Sequence, residues 1–201
     1  MTRVKICGLT NLDDALAAAQ AGADALGFVL APSPRRVSPD QVRAMVRRLP
    51  PLVTTVGVFV DTPLEEVARL KTWCGLVWAQ LHGREGQAEV EALAPRVIKV
   101  LSVGRQTPDP QAYPGAHLLL DTAVPGRTGG TGQTFDWSLA VDLARQRPVI
   151  LAGGLNADNV AQAIAIVKPF AVDVSSGVEE EPGRKDHAQI RSFIARAKGL
   201  A

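Results

Sequence analysis

The sequence predicts a closed parallel (β/α)8 barrel, and three observations carry that prediction. Eight short runs rich in Val, Ile and Leu recur along the chain. Segments of helical period separate them. Eight such units in 201 residues leave about 25 residues each, the lower end for a TIM barrel, and no change of composition marks a linker. The expectation is one minimal domain over residues 1–201. An open doubly wound sheet is the rival architecture, and the lack of a GxGxxG after the first strand counts against it.

In chain order, Arg3–Cys7 reads as the first strand and Asp13–Ala21, closed by Gly22, as the first helix. Ala25–Leu30 is the second strand. Ser38-Pro39-Asp40-Gln41 then offers a capping Ser, a Pro at the first helical position and a Gln able to close a capping box. Val42, Met45, Val46 and Leu49 mark one face of that helix, and Pro50-Pro51 stops it. Val53–Val60 is the third strand, and Thr62-Pro63-Leu64-Glu65 repeats the capping pattern. Leu76–Leu81 and a short helix Gln87–Ala94 follow, then strand Val97–Leu101 and a helix Thr107–Ala112 carrying two prolines. His117–Asp121 precedes a helix Phe135–Arg145, and Val149–Ala152 precedes the apolar face Val160, Ala163, Ile164 and Val167. Phe170–Val174 is the eighth strand, and Ile190, Phe193, Ile194 and Ala197 mark the last helix. Most strands are continuous apolar runs instead of alternations, as strands buried on both faces should be.

Composition narrows the function classes. A net charge of +2, from 22 Lys and Arg against 20 Asp and Glu, argues against nucleic acid as a partner. No run approaches 18 apolar residues, so no membrane span is expected, and the start of the chain has no signal-peptide apolar region. Cys7 and Cys74 lack metal-like spacing and read as reduced thiols of a cytoplasmic chain.

Polar and glycine-rich residues collect just after the strands: Cys7-Gly8, Arg35-Arg36, His82-Gly83, Asp121-Thr122, Gly153-Gly154 and Ser175-Ser176-Gly177. In a barrel those positions share the carboxyl-terminal rim, where active sites are built, and the pattern predicts an enzyme. Gly153-Gly154-Leu155-Asn156, leading into a helix, and Ser175-Ser176-Gly177 together read as a phosphate site, since helix starts offer free N–H groups and such sites recur after strands seven and eight. The bland alternative is that these glycines only make tight turns. Gly126–Gly132 reads either as a hinged substrate lid or as a solvated surface loop. Cys7 and Asp121 are the acid–base candidates at the barrel mouth. A free thiol has a pKa of about 8.5, so nearby Lys5 or loop dipoles would have to lower it for Cys7 to act as a base. Desolvation would have to raise the Asp121 carboxyl for it to donate a proton.

Several segments in order resemble phosphoribosylanthranilate isomerase: Lys5-Ile6-Cys7-Gly8-Leu9-Thr10, Ala25-Leu26-Gly27-Phe28, Ser33-Pro34-Arg35-Arg36-Val37-Ser38 and Val56-Gly57-Val58-Phe59-Val60. Gln80-Leu81-His82-Gly83, Leu119-Leu120-Asp121-Thr122, Gly129-Gly130-Thr131-Gly132 and Val172-Asp173-Val174-Ser175-Ser176-Gly177-Val178-Glu179 extend the likeness. The resemblance implies a (β/α)8 barrel that rearranges a phosphoribosylated anthranilate in tryptophan biosynthesis, needing neither metal nor organic cofactor. By that likeness Asp121 is the general acid and Cys7 the general base. Arg35 engages the anthranilate end and Asp173 the sugar hydroxyls, while Gly154, Ser175 and Ser176 fall on the phosphate loops. Arg36 reads as a solvated cation, Gln80 and His82 as rim residues, and Trp78 and Cys74 as packing. The implied partner is a small phosphorylated substrate, and the sequence leaves monomer or homodimer open. Two other readings stay open: a Schiff-base aldolase using Lys99 of the fifth strand, and a non-catalytic phosphosugar-binding barrel.

Overall fold

Parallel pairing runs without interruption through eight strands of the computed structural model: β1 (Arg3–Ile6), β2 (Ala25–Val29), β3 (Thr54–Phe59), β4 (Trp78–Leu81), β5 (Val97–Val103), β6 (His117–Thr122), β7 (Val149–Leu151) and β8 (Ala171–Val174). The eighth pairs back onto the first, with Lys5 opposite Asp173 and Ile6 opposite Val174, so the sheet is a closed barrel and the doubly wound alternative falls. The structure describes residues 1–104, 109–122 and 134–200. The predicted lid Gly126–Gly132, with the Gly129–Gly132 motif inside it, lies outside the described residues.

The apolar strands have two destinations. Val4, Ile6, Leu26, Phe28, Leu118, Leu120 and Val172 point outward and pack under the helices. Val56, Ile98, Val100, Leu119 and Ala152 point inward and fill the lumen. Both faces are therefore dry, and this removes the polar alternation that a half-exposed sheet would show.

Among the described residues seven helices surround the strands: α1 (Leu12–Gln20), α2 (Pro39–Val46), α3 (Leu64–Cys74), α4 (Gln87–Ala92), α5 (Ser138–Gln146), α6 (Val160–Val167) and α7 (His187–Lys198). The capping box of α2 forms as its sequence requires, with Gln41 N–H donating to Ser38 Oγ and Ser38 N–H donating to Gln41 Oε1.

Its apparent repeat at α3 does not form. Thr62 turns its hydroxyl back onto the Val60 carbonyl, Pro63 takes the capping position, and no side chain caps the helix. The helix predicted from Phe135 begins three residues later, at Ser138, because the Asp136 carboxylate accepts the Ser138 N–H and holds the preceding backbone in a turn. No helix occupies 109–112, where the Asp109 carboxylate accepts the Gln111 N–H in a local turn; Thr107 and Pro108 lie outside the described residues. After β8 a 3-10 turn (Ser176–Val178) leads into an unpredicted hairpin of β9 (Glu179–Glu181) and β10 (Arg184–Lys185). This hairpin folds over the rim.

Candidate active site

At the carboxyl-terminal mouth lies a cavity of about 350 Å³. All eight residues singled out from the sequence line it: Cys7, Arg35, Asp121, Gly153, Gly154, Asp173, Ser175 and Ser176. Gln80 and His82 of the β4 end line it too, whereas Arg36 is exposed outside it. Cys74 is buried on α3 with its Sγ against the Pro39 carbonyl. Trp78 sits at the other mouth, edge-to-face with His117.

Cys7 enters the lumen just after β1, and its neighbours set its chemistry. Burial pushes the thiol above the ordinary thiol range. The Lys5 ammonium opposes that push, Asp173 adds to it, and Lys185 opposes it again. So the base candidate sits on balance higher than a free thiol, not lower as the sequence reading required. Lys5 Nζ is 2.8 Å from Asp173 Oδ1, an ion pair closed off from water. Gly27 on β2 makes room for both: a Cβ there would lie 2.8 Å from Cys7 Sγ and 3.1 Å from Lys5 Nζ.

Asp121 closes the cavity from the end of β6. Its Oδ1 accepts the Thr122 N–H at 2.8 Å, and its Oδ2 lies 3.5 Å from His82 Nε2. The base and acid candidates therefore reach the cavity from β1 and β6, while the two glycines and two serines reach it from the ends of β7 and β8. Gly153 and Gly154 turn the chain with positive φ.

One part of the phosphate reading is corrected. The helix after Gly154 starts only at Val160, and three of the intervening N–H groups are already used. Asn156 Oδ1 accepts those of Asp158 and Asn159, and Asn159 Oδ1 accepts that of Asn156. The α6 start is therefore not the anion cradle that the sequence suggested. The two loops themselves remain, wedged together where Gly177 packs onto the Leu155 carbonyl.

Arg35 is not a free cation. Its Nε and Nη2 both donate to Glu179, at 2.8 and 2.7 Å, and this pairing raises its pKa. Glu179 also accepts Lys185 Nζ at 2.7 Å; burial alone would raise its carboxyl, but the two cations hold it below the usual range. Lys185 in turn donates to the Ser175 carbonyl, so one carboxylate connects the arginine to the phosphate-side loop. Glu179 and Lys185 were not singled out from the sequence. Within Glu179-Glu180-Glu181 the first acid looks as solvated as its neighbours.

Lys99 does not reach the cavity. It leaves β5 on the outward side and donates to Glu85 and to the Gly83 carbonyl, both at 2.7 Å, in a buried ion pair. An aldolase nucleophile must be neutral and face the substrate. Among the described residues no cluster of three or more His, Cys, Asp or Glu could hold a metal, and no helix is long and apolar enough to cross a membrane.

Comparison with known proteins identifies the family of the chain. The family described as N-(5'phosphoribosyl)anthranilate (PRA) isomerase matches residues 4–196. The N-(5'-phosphoribosyl)anthranilate isomerase of Desulforudis audaxviator (strain MP104C) is 55% identical over 202 residues, 98% of each chain. The crystal structure of phosphoribosyl anthranilate isomerase from Thermotoga maritima is 45% identical, with a TM-score of 0.91 and full coverage of both chains. A structure of such an isomerase in complex with reduced 1-(o-carboxyphenylamino)-1-deoxyribulose 5-phosphate has a TM-score of 0.89, 45% identity and the same coverage.

Proposed function

The chain belongs to the N-(5'-phosphoribosyl)anthranilate isomerase family, and from that premise we propose that Cys7 and Asp121 carry its reaction. The protein is the isomerase of tryptophan biosynthesis that converts N-(5'-phosphoribosyl)anthranilate to 1-(2-carboxyphenylamino)-1-deoxyribulose 5-phosphate. In this reading Asp121 protonates the furanose ring oxygen as the C1'–O bond breaks, and the nitrogen lone pair forms the Schiff base. The Cys7 thiolate then takes the C2' proton, the electrons move toward nitrogen, and the resulting enolamine tautomerises to the ketone. The observation that carries the assignment is that one cavity holds a thiol on β1 and a carboxyl on β6, with the phosphate loops beside them. A non-catalytic barrel would bind the substrate without turnover, so loss of substrate fluorescence in the presence of the intact protein separates the two readings.

The phosphate lies on Gly153, Gly154, Ser175 and Ser176, through hydroxyls and backbone N–H groups. Asp173 lines the cavity where sugar hydroxyls pass. Arg35 keeps three of its five N–H donors after pairing with Glu179, enough to hold the anthranilate carboxylate while Glu179 fixes the plane of the guanidinium. Arg35→Ala should raise KM by about tenfold or more with a smaller change in kcat, since a charge-assisted hydrogen bond is worth roughly 1.5–3 kcal/mol. An unchanged KM in steady-state kinetics would remove the contact.

Because Cys7 must be a thiolate and burial raises its pKa, kcat/KM should climb with pH through neutrality and keep climbing past the ordinary thiol pKa of about 8.5. A plateau reached below pH 8 would contradict this.

A reduced thiol suits the cytoplasm, and that compartment is part of the proposal. So is a homodimer, on the likeness to the dimeric isomerase of Thermotoga maritima, and so is one domain over residues 1–201. Sedimentation tests the second and limited proteolysis the third.

A further inference from the structure

Charge inside the barrel lumen is expensive, and Val56, Ile98, Val100, Leu119 and Ala152 make much of this lumen apolar. Lys5 nevertheless places an ammonium there, 3% exposed, between the Asp173 carboxylate and the Cys7 thiol. An apolar side chain of similar volume would serve packing as well or better. Lys5 lies beneath the substrate cavity and borders the cavity at the opposite mouth, so whatever it does for the reaction it does through a neighbour. That neighbour is Cys7, which lines the substrate cavity and needs a counter-charge in its working state.

Resting on the reading of Cys7 as the base, we propose that Lys5 is a positioning residue: its ammonium, anchored by Asp173, holds the Cys7 thiolate in place for proton abstraction at C2'. The parts divide the work. Gly27 leaves the space in which Nζ and Sγ meet. Asp173 accepts Nζ at 2.8 Å and stops the long lysine side chain from leaving through the lower mouth. It also carries a negative charge that disfavours the thiolate, so the two partners of the ion pair act on Cys7 in opposite directions. The other charges around the thiol are Lys185 of the rim hairpin and Arg35 of the loop after β2, both cations and both already paired with Glu179. Lys5 is the cation beside the sulfur whose own acid partner, Asp173, sits in the lumen.

Opposite effects make the test sharp. The rate of Cys7 carbamidomethylation by iodoacetamide is followed against pH in the intact protein without substrate, with mass spectrometry of the Cys7 peptide to separate it from Cys74. In Lys5→Met the inflection should move up by about one pH unit or more. The thiolate fraction at neutral pH, and with it kcat, should then fall about tenfold for every pH unit the inflection climbs, with KM moving far less. In Asp173→Asn, whose side-chain oxygen can still accept Lys5 Nζ while the negative charge is gone, the inflection should fall. Lys5→Arg should return it toward the parent value. An inflection unmoved in Lys5→Met, or raised in Asp173→Asn, overturns the proposal. Should Lys5→Met fail to fold, Lys5→Gln, which can still donate to Asp173 but carries no charge, decides in its place: an inflection that stays at the parent value overturns the proposal. The base assignment fails separately, if Cys7→Ala keeps full turnover.

Discussion

Cys7→Ala and Asp121→Asn should each lower kcat by about 10²–10⁴-fold, the usual contribution of a positioned acid or base. Neither change empties the cavity of its binding groups. Ser175, Ser176, Gly154 and Arg35 remain, so affinity for reduced 1-(o-carboxyphenylamino)-1-deoxyribulose 5-phosphate should stay within a few-fold of the parent. The two variants should differ in their pH response. Without Cys7 the alkaline climb of kcat/KM disappears, whereas Asp121→Asn retains it. The asparagine also keeps an oxygen able to accept the Thr122 N–H, so its loss of rate reports the missing proton and not a displaced loop. Substrate fluorescence decay across a pH series measures both effects. Either variant retaining activity within tenfold of the parent would overturn the role assigned to that residue.

Gly177→Ala should damage binding strongly, because among the described glycines it is the one whose added Cβ would meet backbone most closely. The Cβ would overlap the Leu155 carbonyl, a backbone atom that cannot swing aside as a side-chain terminus can. Relief requires the loops after β7 and β8 to part, and those loops hold the four phosphate-side residues. A KM increase of about 10- to 100-fold is expected, with kcat falling as well, because phosphate binding remote from the reacting carbon helps to orient it. Overpacking should also cost about 1–3 kcal/mol of stability. Gly199→Ala is the control: that glycine has φ +67 at the end of α7, and an added Cβ would meet nothing within 4 Å. It should cost about 1 kcal/mol in conformational strain and leave KM unchanged. Equal KM values for Gly177→Ala and the parent would show that the wedge between the two loops plays no part in substrate binding.

The barrel was legible because its strands are apolar on both faces and its turns are punctuated by Pro and Gly. The α2 box could be read because all its partners are local in the chain. Thr62 carried the same signal and failed, since its hydroxyl found the Val60 carbonyl of the strand before it. Sequence spacing does not register that competition. The cavity residues were legible by position: strand ends that share a rim bring Cys7, Asp121 and Ser175 together whatever lies between them. Charge pairing was not. Glu179 is one of three consecutive glutamates, and only the folded hairpin shows that it alone turns inward to meet Arg35 and Lys185. Lys5 reads from the sequence as a cation near Cys7, but its hold by Asp173 depends on the β1–β8 register, a relation between opposite ends of the chain. Asn156 misled for the reverse reason: a loop that looks ready to receive an anion spends its asparagine on its own backbone.

The seam between the first and last strands also governs when the enzyme comes into being. Lys5 meets Asp173 across 168 residues, and Asp14 meets the Lys185 N–H and the His187 ring across 171 and 173. A chain made from its amino end carries its proposed base out of the ribosome well before the groups that serve it. The carboxylate that steadies its lysine, the serines beside it and the hairpin that seats its arginine all follow it by nearly the length of the barrel. Contacts this distant in sequence form late and slowly. Until those contacts form, the thiol has no finished pocket around it, so closing the seam and completing the pocket go together.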